Sequence, residues 1–218
     1  MSICLAITDV DWSITKDVFS VIGTLVSAAG VGLAFYVGLS GLATWKRQMK
    51  GVSDHELSRR ALIELYQYRD AIEQARSPIM LGWEFELTED ESKGLKFTEK
   101  RHLEKRKGYQ ARLEKIRLAR VPIRLTLLDS EAVWGKELGL MYKELFKLQH
   151  EFYRYVELSI LASDPQEDED DRRPYVDILK SRRDVMYDPS DENGDDFRKE
   201  FIAASSIIES YLKSKMIS

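Results

Sequence analysis

The chain has 218 residues, of which 32% are charged and 44% hydrophobic, and its formal net charge is −4 at pH 7. It contains 12 glycines and 5 prolines, a composition that favours a helical protein over an all-β one. The single cysteine, Cys4, excludes a disulfide bond within the chain.

A long apolar segment near the N-terminus, residues 18–45, contains no charged residue. As a helix it extends roughly 42 Å, more than the ~30 Å hydrocarbon core of a bilayer. Because cations follow it directly, the segment predicts a transmembrane helix. Two alternatives stay open. A cleaved signal peptide needs a basic start, whereas residues 1–17 are acidic, and a buried core helix rarely runs this long without a charge.

The cations around this segment predict its orientation. Five follow it within about 15 residues, whereas Lys16 alone precedes it. The positive-inside rule therefore predicts a short extracytoplasmic N-terminus, residues 1–17, and a cytoplasmic helical domain, residues 46–218. Tryptophans flank both ends of the segment, where amphipathic rings favour the membrane interfaces. The predicted membrane-interface anchors are Trp12, Trp45, Lys46, Arg47 and Lys50.

Small residues recur along one face of the predicted membrane helix at intervals of three and four. At 100° per residue they fall within an arc of about 80°, which allows two helix backbones to approach closely. This face predicts self-association. A simple anchor remains the alternative, because the whole segment is rich in Gly, Ala and Ser. The predicted helix-association face consists of Gly23, Ser27, Gly30, Ala34, Gly38 and Gly41.

Four further helices are predicted in the cytoplasmic part, where apolar residues recur at intervals of three and four. They cover about residues 53–77, 98–128, 130–162 and 196–215. The third has the strongest periodicity, at Leu138, Met141, Leu145, Leu148, Phe152 and Tyr155. The predicted fold class is therefore all-α: a single N-terminal transmembrane helix followed by an antiparallel cytoplasmic bundle of about four helices.

Proline and capping residues mark the ends of these helices. Pro78 stops the first helix, and Pro122 either kinks the second or begins a new one. Asp195 is placed to cap the last helix. Residues 79–95 alternate partly between apolar and acidic, which predicts an extended loop or an isolated strand.

Charge is distributed unevenly along the cytoplasmic part. Residues 96–124 contain eleven Lys or Arg against three Glu, whereas residues 164–195 are strongly acidic and are predicted to form a loop. The basic helix is interpreted as a solvated face, with contact to anionic lipid, pairing with the acidic loop, or nucleic-acid binding as alternatives. A possible lipid or partner patch consists of Arg101, Lys105, Arg106, Arg112 and Arg117.

Metal-ligand patterns are weak. Residues 191–194, with Glu200, resemble the later part of a calcium loop, but Pro189 stands at its first ligand position. A turn before a capped helix is therefore the preferred interpretation. The three histidines, His55, His102 and His150, lie on three different predicted helices without paired ligand spacing. No catalytic, cofactor-binding or metal-binding residue is predicted.

Four short stretches carry a resemblance: TWKRQ at 44–48 with Gly51, RRAL at 59–62, YRDAI at 68–72 and VWG at 133–135. In them the chain resembles a group of uncharacterised single-pass bacterial membrane proteins with a cytoplasmic helical domain. The resemblance covers about a third of the chain. It implies a bacterial inner membrane and no particular activity.

The sequence therefore predicts a non-enzymatic, membrane-anchored interaction or regulatory protein that self-associates and presents its helical domain to a partner. Two other classes stay open: a membrane-disrupting or pore-forming effector, such as a toxin or defence component, and an enzyme with a site inside the bundle. The predicted partners are membrane lipid, further copies of the chain and an unknown cytoplasmic protein. Nucleic acid and cofactors are not expected.

Overall fold

The computed structural model describes residues 9–189 and 195–217. In these residues the chain is all-helical, with seven helices and no strand. It divides into two units, Met1–Ser53 and Asp54–Ser218. The helices are α1 Asp9–Arg76, α2 Gly82–Phe85, α3 Glu89–Ser92, α4 Phe97–Trp134, α5 Glu137–Ala162, α6 Glu169–Lys180 and α7 Asp196–Ile217.

The first unit contains the N-terminal part of α1, which is long and apolar enough to span a membrane. None of its most apolar 18-residue stretch is buried within the chain. The hydroxyls of Thr24 and Thr44 donate to the carbonyls of Ser20 and Ser40, at 2.9 and 3.0 Å. These bonds satisfy the two hydroxyl donors within their own helix.

The second unit has one hydrophobic core, to which α1, α4, α5 and α7 all contribute. The predicted stripe of α5 is confirmed as core: four of its six residues are buried, and Met141 and Tyr155 are half-buried. Tyr68 of α1 lies at the centre, where its hydroxyl donates to Gln149 of α5 at 2.8 Å. The largest fully buried aromatic side chains are Tyr68, Tyr109, Tyr142, Phe152 and Phe197.

Polar contacts fix the register between α1 and α4. Three hydrogen-bonded pairs join the two helices, and successive pairs are one or two helical turns apart. From one pair to the next, the residue number rises along α1 and falls along α4. The bonds are Trp134 Nε1 to Asp54 at 2.9 Å, Arg60 to Asp129 at 2.6 Å and Thr126 Oγ1 to Glu64 at 2.9 Å.

In two other helix pairs of the second unit, residue numbers likewise rise along one helix and fall along the other. Between α4 and α5, Lys105 bonds Ser159 at 3.2 Å and Arg120 bonds Gln149 at 3.1 Å. Between α1 and α7, the imidazole Nδ1 of His55 lies 3.4 Å from the carbonyl oxygen of Met216, and Arg76 pairs with Asp195.

The segment after α1 was predicted to be an extended loop or an isolated strand, and residues 77–96 contain no strand. It forms two one-turn helices, α2 and α3, separated by non-helical residues, and a glutamate carboxylate caps the N-terminus of each. The Glu84 carboxylate accepts from the Leu81 backbone N–H at 3.2 Å. In α3 the Glu91 carboxylate accepts from the N–H of Thr88 at 2.8 Å. Local carboxylate capping therefore overrides the alternating pattern that indicated a strand.

Helix α4 is longer than predicted and continues through Pro122 to Trp134. It ends at Gly135, whose φ of 80° and ψ of −164° lie in a region that is almost closed to residues with a Cβ. Helix α5 therefore begins at Glu137 rather than near residue 130.

The acidic loop predicted over about 164–195 contains a helix, α6, that the sequence analysis missed. Its first turn holds Glu169, Asp170 and Asp171, and Lys180 lies in its last turn. Acidic residues in the first turn of a helix interact favourably with the helix dipole. The same charges that indicated disorder therefore support this helix.

We expect Gly135→Ala to lower the free energy of unfolding by about 1–3 kcal/mol, because alanine disfavours the backbone angles at this position. Gly139→Ala is the matched control: Gly139 lies in α5, an added Cβ there meets nothing within 4 Å, and helix propensity predicts a gain of about 0.5–1 kcal/mol. Urea denaturation of the full chain in detergent, followed by tryptophan fluorescence, measures both. Equal effects of the two substitutions would contradict the role of Gly135.

Candidate functional site

The predicted helix-association face lies on α1 in the first unit, and all six of its residues are exposed. A Cβ added at Gly23, Gly30, Gly38 or Gly41 would have no atom of the chain within 4 Å. The same is true of Gly32, which lies about opposite on the helix surface. The face is therefore open, and any group that approaches it closely comes from outside the described chain.

The predicted membrane-interface anchors also lie on α1. Trp45 is 56% exposed, and Lys46, Arg47 and Lys50 are exposed on the turns that follow it. The side chain of Trp12 lies outside the described residues. Three cations and a tryptophan within six residues form the kind of flank found at the cytoplasmic end of membrane helices.

The five residues of the predicted basic patch lie in different surroundings on α4. Arg112 is buried, and Lys105 is half-buried with its ammonium bonded to Ser159, where burial lowers the pKa of Lys105. Arg117 is exposed and pairs with Glu114 at 2.6 Å. Arg101 lies over the ring of Phe97, and Arg106 lines a small cavity beside His102. At least Arg112 is therefore structural.

Arg112 closes the C-terminal end of α1, a role that sequence reasoning missed. Its guanidinium donates to the carbonyls of Ala75, Ser77 and Ile79 at 3.2, 2.7 and 2.6 Å. Its Nε donates to the Glu84 carboxylate at 2.5 Å. The hydrogen bond from Arg112 lowers the pKa of Glu84 against the opposing effect of burial. One side chain thus satisfies carbonyls that lack helical partners.

Arg76, the last residue of α1, holds a second irregular segment. It donates to the carbonyls of Val185 and Tyr187 at 2.9 and 3.0 Å, and it pairs with Asp195. Its guanidinium also lies 4.4 Å from the ring centroid of Phe197. Burial acts to raise the pKa of Asp195, but hydrogen bonds from Arg76 and from the backbone N–H of Arg198 outweigh it and lower that pKa.

Asp195 also confirms the predicted cap of α7, since its carboxylate accepts from the Arg198 N–H at 2.8 Å. Residues 191–194 of the calcium-like segment lie outside the described residues. Glu200, the last residue of that pattern, binds Arg183 at 2.7 Å. In the described part of the chain, no group of three or more His, Cys, Asp or Glu is arranged to hold a metal ion.

Comparison of the chain with protein-family models, curated proteins and solved structures gives no match. The resemblance to single-pass bacterial membrane proteins therefore stays a prediction. The open face of α1 has both a regular spacing of small residues in the sequence and exposure of all six residues in the structure.

We expect Arg112→Met to lower the free energy of unfolding by about 3–5 kcal/mol, because it leaves the buried Glu84 carboxylate without its cation. Arg117→Met is the matched control: Arg117 lies on the same helix in an exposed ion pair, and its loss is expected to cost less than about 1 kcal/mol. Urea denaturation of the full chain in detergent measures the difference.

The difference between wild type and Arg112→Met also depends on pH. The pKa of folded Glu84 lies below its ordinary value of 4.5, so its ion pair stabilises the fold above that pH and the contribution is lost as the pH falls through the folded pKa. We therefore expect the stability gap between the two proteins to narrow below about pH 4.5. A gap that stays constant with pH would show that Arg112 acts through packing alone.

Proposed function

We propose that the protein is a non-enzymatic, membrane-anchored interaction or regulatory protein. In this proposal it self-associates through the small face of α1 and presents a cytoplasmic helical bundle to a protein partner. The observation that carries the proposal is the apolar part of α1, whose small-residue face is not covered by any described residue of the chain.

The exposed apolar surface is too large to leave in water. Fifteen large apolar side chains between residues 14 and 45 are each about half to two-thirds exposed. At roughly 1–2 kcal/mol each, their hydration costs about 15–30 kcal/mol. That exceeds the ~5–15 kcal/mol by which a typical domain is stable. A bilayer removes this cost, and the basic flank at Lys46, Arg47 and Lys50 supports an orientation with residues 46–218 in the cytoplasm.

For the cytoplasmic part we propose an antiparallel bundle of α4, α5, α7 and the C-terminal part of α1. Support comes from the contacts of the second unit, in which residue numbers rise along one helix and fall along its neighbour in three helix pairs. Short connections of two residues, such as Gly135 and Lys136 between α4 and α5, are typical of antiparallel neighbours.

The mechanism we propose is positional. Anchoring confines the bundle to a surface, which raises its effective concentration for contact with other copies and with a partner. Between membrane helices the hydrophobic effect supplies no attraction, so close backbone packing at small residues has to supply it. We propose the bacterial inner membrane as this membrane, on the basis of the sequence resemblance alone.

In-cell crosslinking of the full-length protein tests self-association. We expect the double variant Gly30→Leu, Gly38→Leu to lose most self-crosslinks, because the two leucines keep the helices apart. Neither site has an atom of the chain within 4 Å, so the effect is intermolecular. The control, Ala28→Leu with Gly32→Leu, adds nearly the same bulk on the side of the helix away from the small face and should crosslink as wild type does. Crosslinks that survive in both variants would reduce α1 to an anchor.

A membrane-disrupting or pore-forming effector is the alternative, since the same small face allows such an assembly. Against it stands the lack of a polar face: residues 18–45 carry no charge, and the hydroxyls of Thr24 and Thr44 are already bonded to their own helix. We expect liposomes that contain the purified protein to retain an encapsulated dye. A different result would make pore formation the function: dye leakage that persists in the opposite-face control but is abolished in the double variant Gly30→Leu, Gly38→Leu.

A further inference from the structure

Helix α4 has an unexpected second apolar face. One side of the helix packs into the core of the second unit through Ile116, Ile123 and Thr126. About 180° away, four apolar side chains recur at intervals of three, four and three. They form the α4 outer stripe: Leu118, Val121, Leu125 and Leu128, which are 54%, 45%, 62% and 66% exposed. A helix that is apolar on both sides normally has a cover on both sides.

Arginines border the α4 outer stripe along one edge. Arg117, Arg120 and Arg124 lie next to it on the helix surface, and with Val121 of the stripe they line a cavity of about 310 Å³. Within the described chain Arg124 has no ion pair. Arg120 rests on the ring of Phe146 at 3.8 Å, and its Nε is buried without a hydrogen-bond partner. Burial lowers the pKa of Arg120, and repulsion from Arg124 acts in the same direction.

The carboxylates near the stripe do not balance this charge, because they are already paired. Glu114 binds Arg117 at 2.6 Å, and Asp129 binds Arg60 of α1 at 2.6 Å. Arg124 and Arg120 thus remain as positive charge beside an apolar stripe. Leucine and valine on one face with arginine at its edge is the pattern of a helix that lies at the surface of an anionic membrane.

A second copy of the chain fits the α4 outer stripe less well. Four half-exposed side chains offer roughly 400 Å², whereas a stable interface buries about 800 Å² on each partner. The stripe extends about 15 Å, or one and a half heptads, and a coiled coil needs three to four. Two such stripes side by side would also bring the arginines of both copies into one interface.

We propose that the α4 outer stripe docks on an anionic phospholipid surface. Its four apolar side chains enter the boundary between head groups and acyl chains, and the exposed Arg124 contacts lipid phosphates, while Arg120 adds positive charge nearby from its place against Phe146 and Gln149. The docking site rests on the membrane anchoring proposed above: four side chains bind a bilayer weakly on their own, but a tethered domain meets the bilayer at a high effective concentration.

The test uses the full chain in proteoliposomes, with Cys4→Ser so that one introduced cysteine carries an environment-sensitive dye. The dye is placed at the stripe by Leu125→Cys, or at an exposed control position on α7 by Ser206→Cys. The vesicles contain phosphatidylcholine alone or mixed with phosphatidylglycerol. Quenching by spin-labelled lipid and by iodide in the buffer reports where each dye lies.

We expect lipid quenching and iodide protection at position 125 in the phosphatidylglycerol vesicles, and iodide access at position 206 in both. Arg124→Glu should lower the ratio of docked to undocked protein by on the order of tenfold, because it replaces a lipid-attracting charge by a repelling one. Arg173→Glu, an equal charge change at an exposed position of α6, should alter the ratio less than about twofold.

Three results would overturn the docking site. Iodide access at position 125 in every vesicle would show that the stripe stays in water. In the unlabelled Leu125→Cys protein, a disulfide between the cysteines of two copies, with no lipid quenching of the labelled protein, would show that a second copy covers the stripe. Protection of position 125 from iodide, without lipid quenching and without that disulfide, would show that another molecule covers the stripe. Alkaline extraction separates these results from failure of the anchoring itself: wild type released from membranes would end the proposed function, whereas retained protein with an exposed stripe would end only the docking site.

Discussion

Helix α1 carries two different distributions of apolar residues, and the two apolar surfaces have to be removed from water in different ways. Between residues 14 and 45 they surround the helix and are exposed, whereas after residue 54 one face is buried, with Leu65, Tyr68 and Ile72 almost inaccessible. The second part supplies a surface on which α4, α5 and α7 build one core. The first part packs on no such surface among the described residues, and this asymmetry underlies the proposal of a membrane anchor joined to a folded domain.

Two arginines hold the non-helical segments of the second unit in place. One is the last residue of α1, and the other lies on α4. Arg76 gathers the carbonyls of Val185 and Tyr187, and Arg112 gathers the carbonyls that follow α1. Each also pairs with a carboxylate, Asp195 or Glu84, so that neither buried charge is left alone. A guanidinium suits this task because its donors form a planar fork that reaches several oxygens at once.

Charge on α4 serves two purposes that composition alone does not separate. Arg112 lies inside and is neutralised by Glu84, while Arg124 lies at the surface and has no ion pair in the described part of the chain. The first holds the fold together. The second lies beside exposed leucines and, in the proposed docking, binds an anionic bilayer. In the proposed arrangement the protein contacts the membrane at two places of different chemistry, the apolar part of α1 and the α4 outer stripe.

Local pattern was enough to determine several features. The uncharged run at 18–45, the stripe of α5 and the cap at Asp195 follow from the residues, because each depends on spacing along one helix or on one side chain next to its own backbone. The open face of α1 was found for the same reason. Where local signals competed, prediction failed: Glu84 and Glu91 cap short helices in a segment that alternates like a strand, and the acids at 169–171 begin α6.

Only the tertiary structure decided which charges are structural and which are open. Arg112 and Arg117 look alike in the sequence. Arg112, however, is buried beside Glu84, which lies 28 residues away in the sequence, whereas Arg117 is in an exposed ion pair. The α4 outer stripe was equally hidden, because Leu118 and Leu125 have the spacing of core residues and only packing showed that the core lies on the other side. The sequence by itself determined that α1 has an apolar run and a small face. The folded second unit decided which surfaces remain for a partner, because burial is a property of contacts between helices and not of any helix alone.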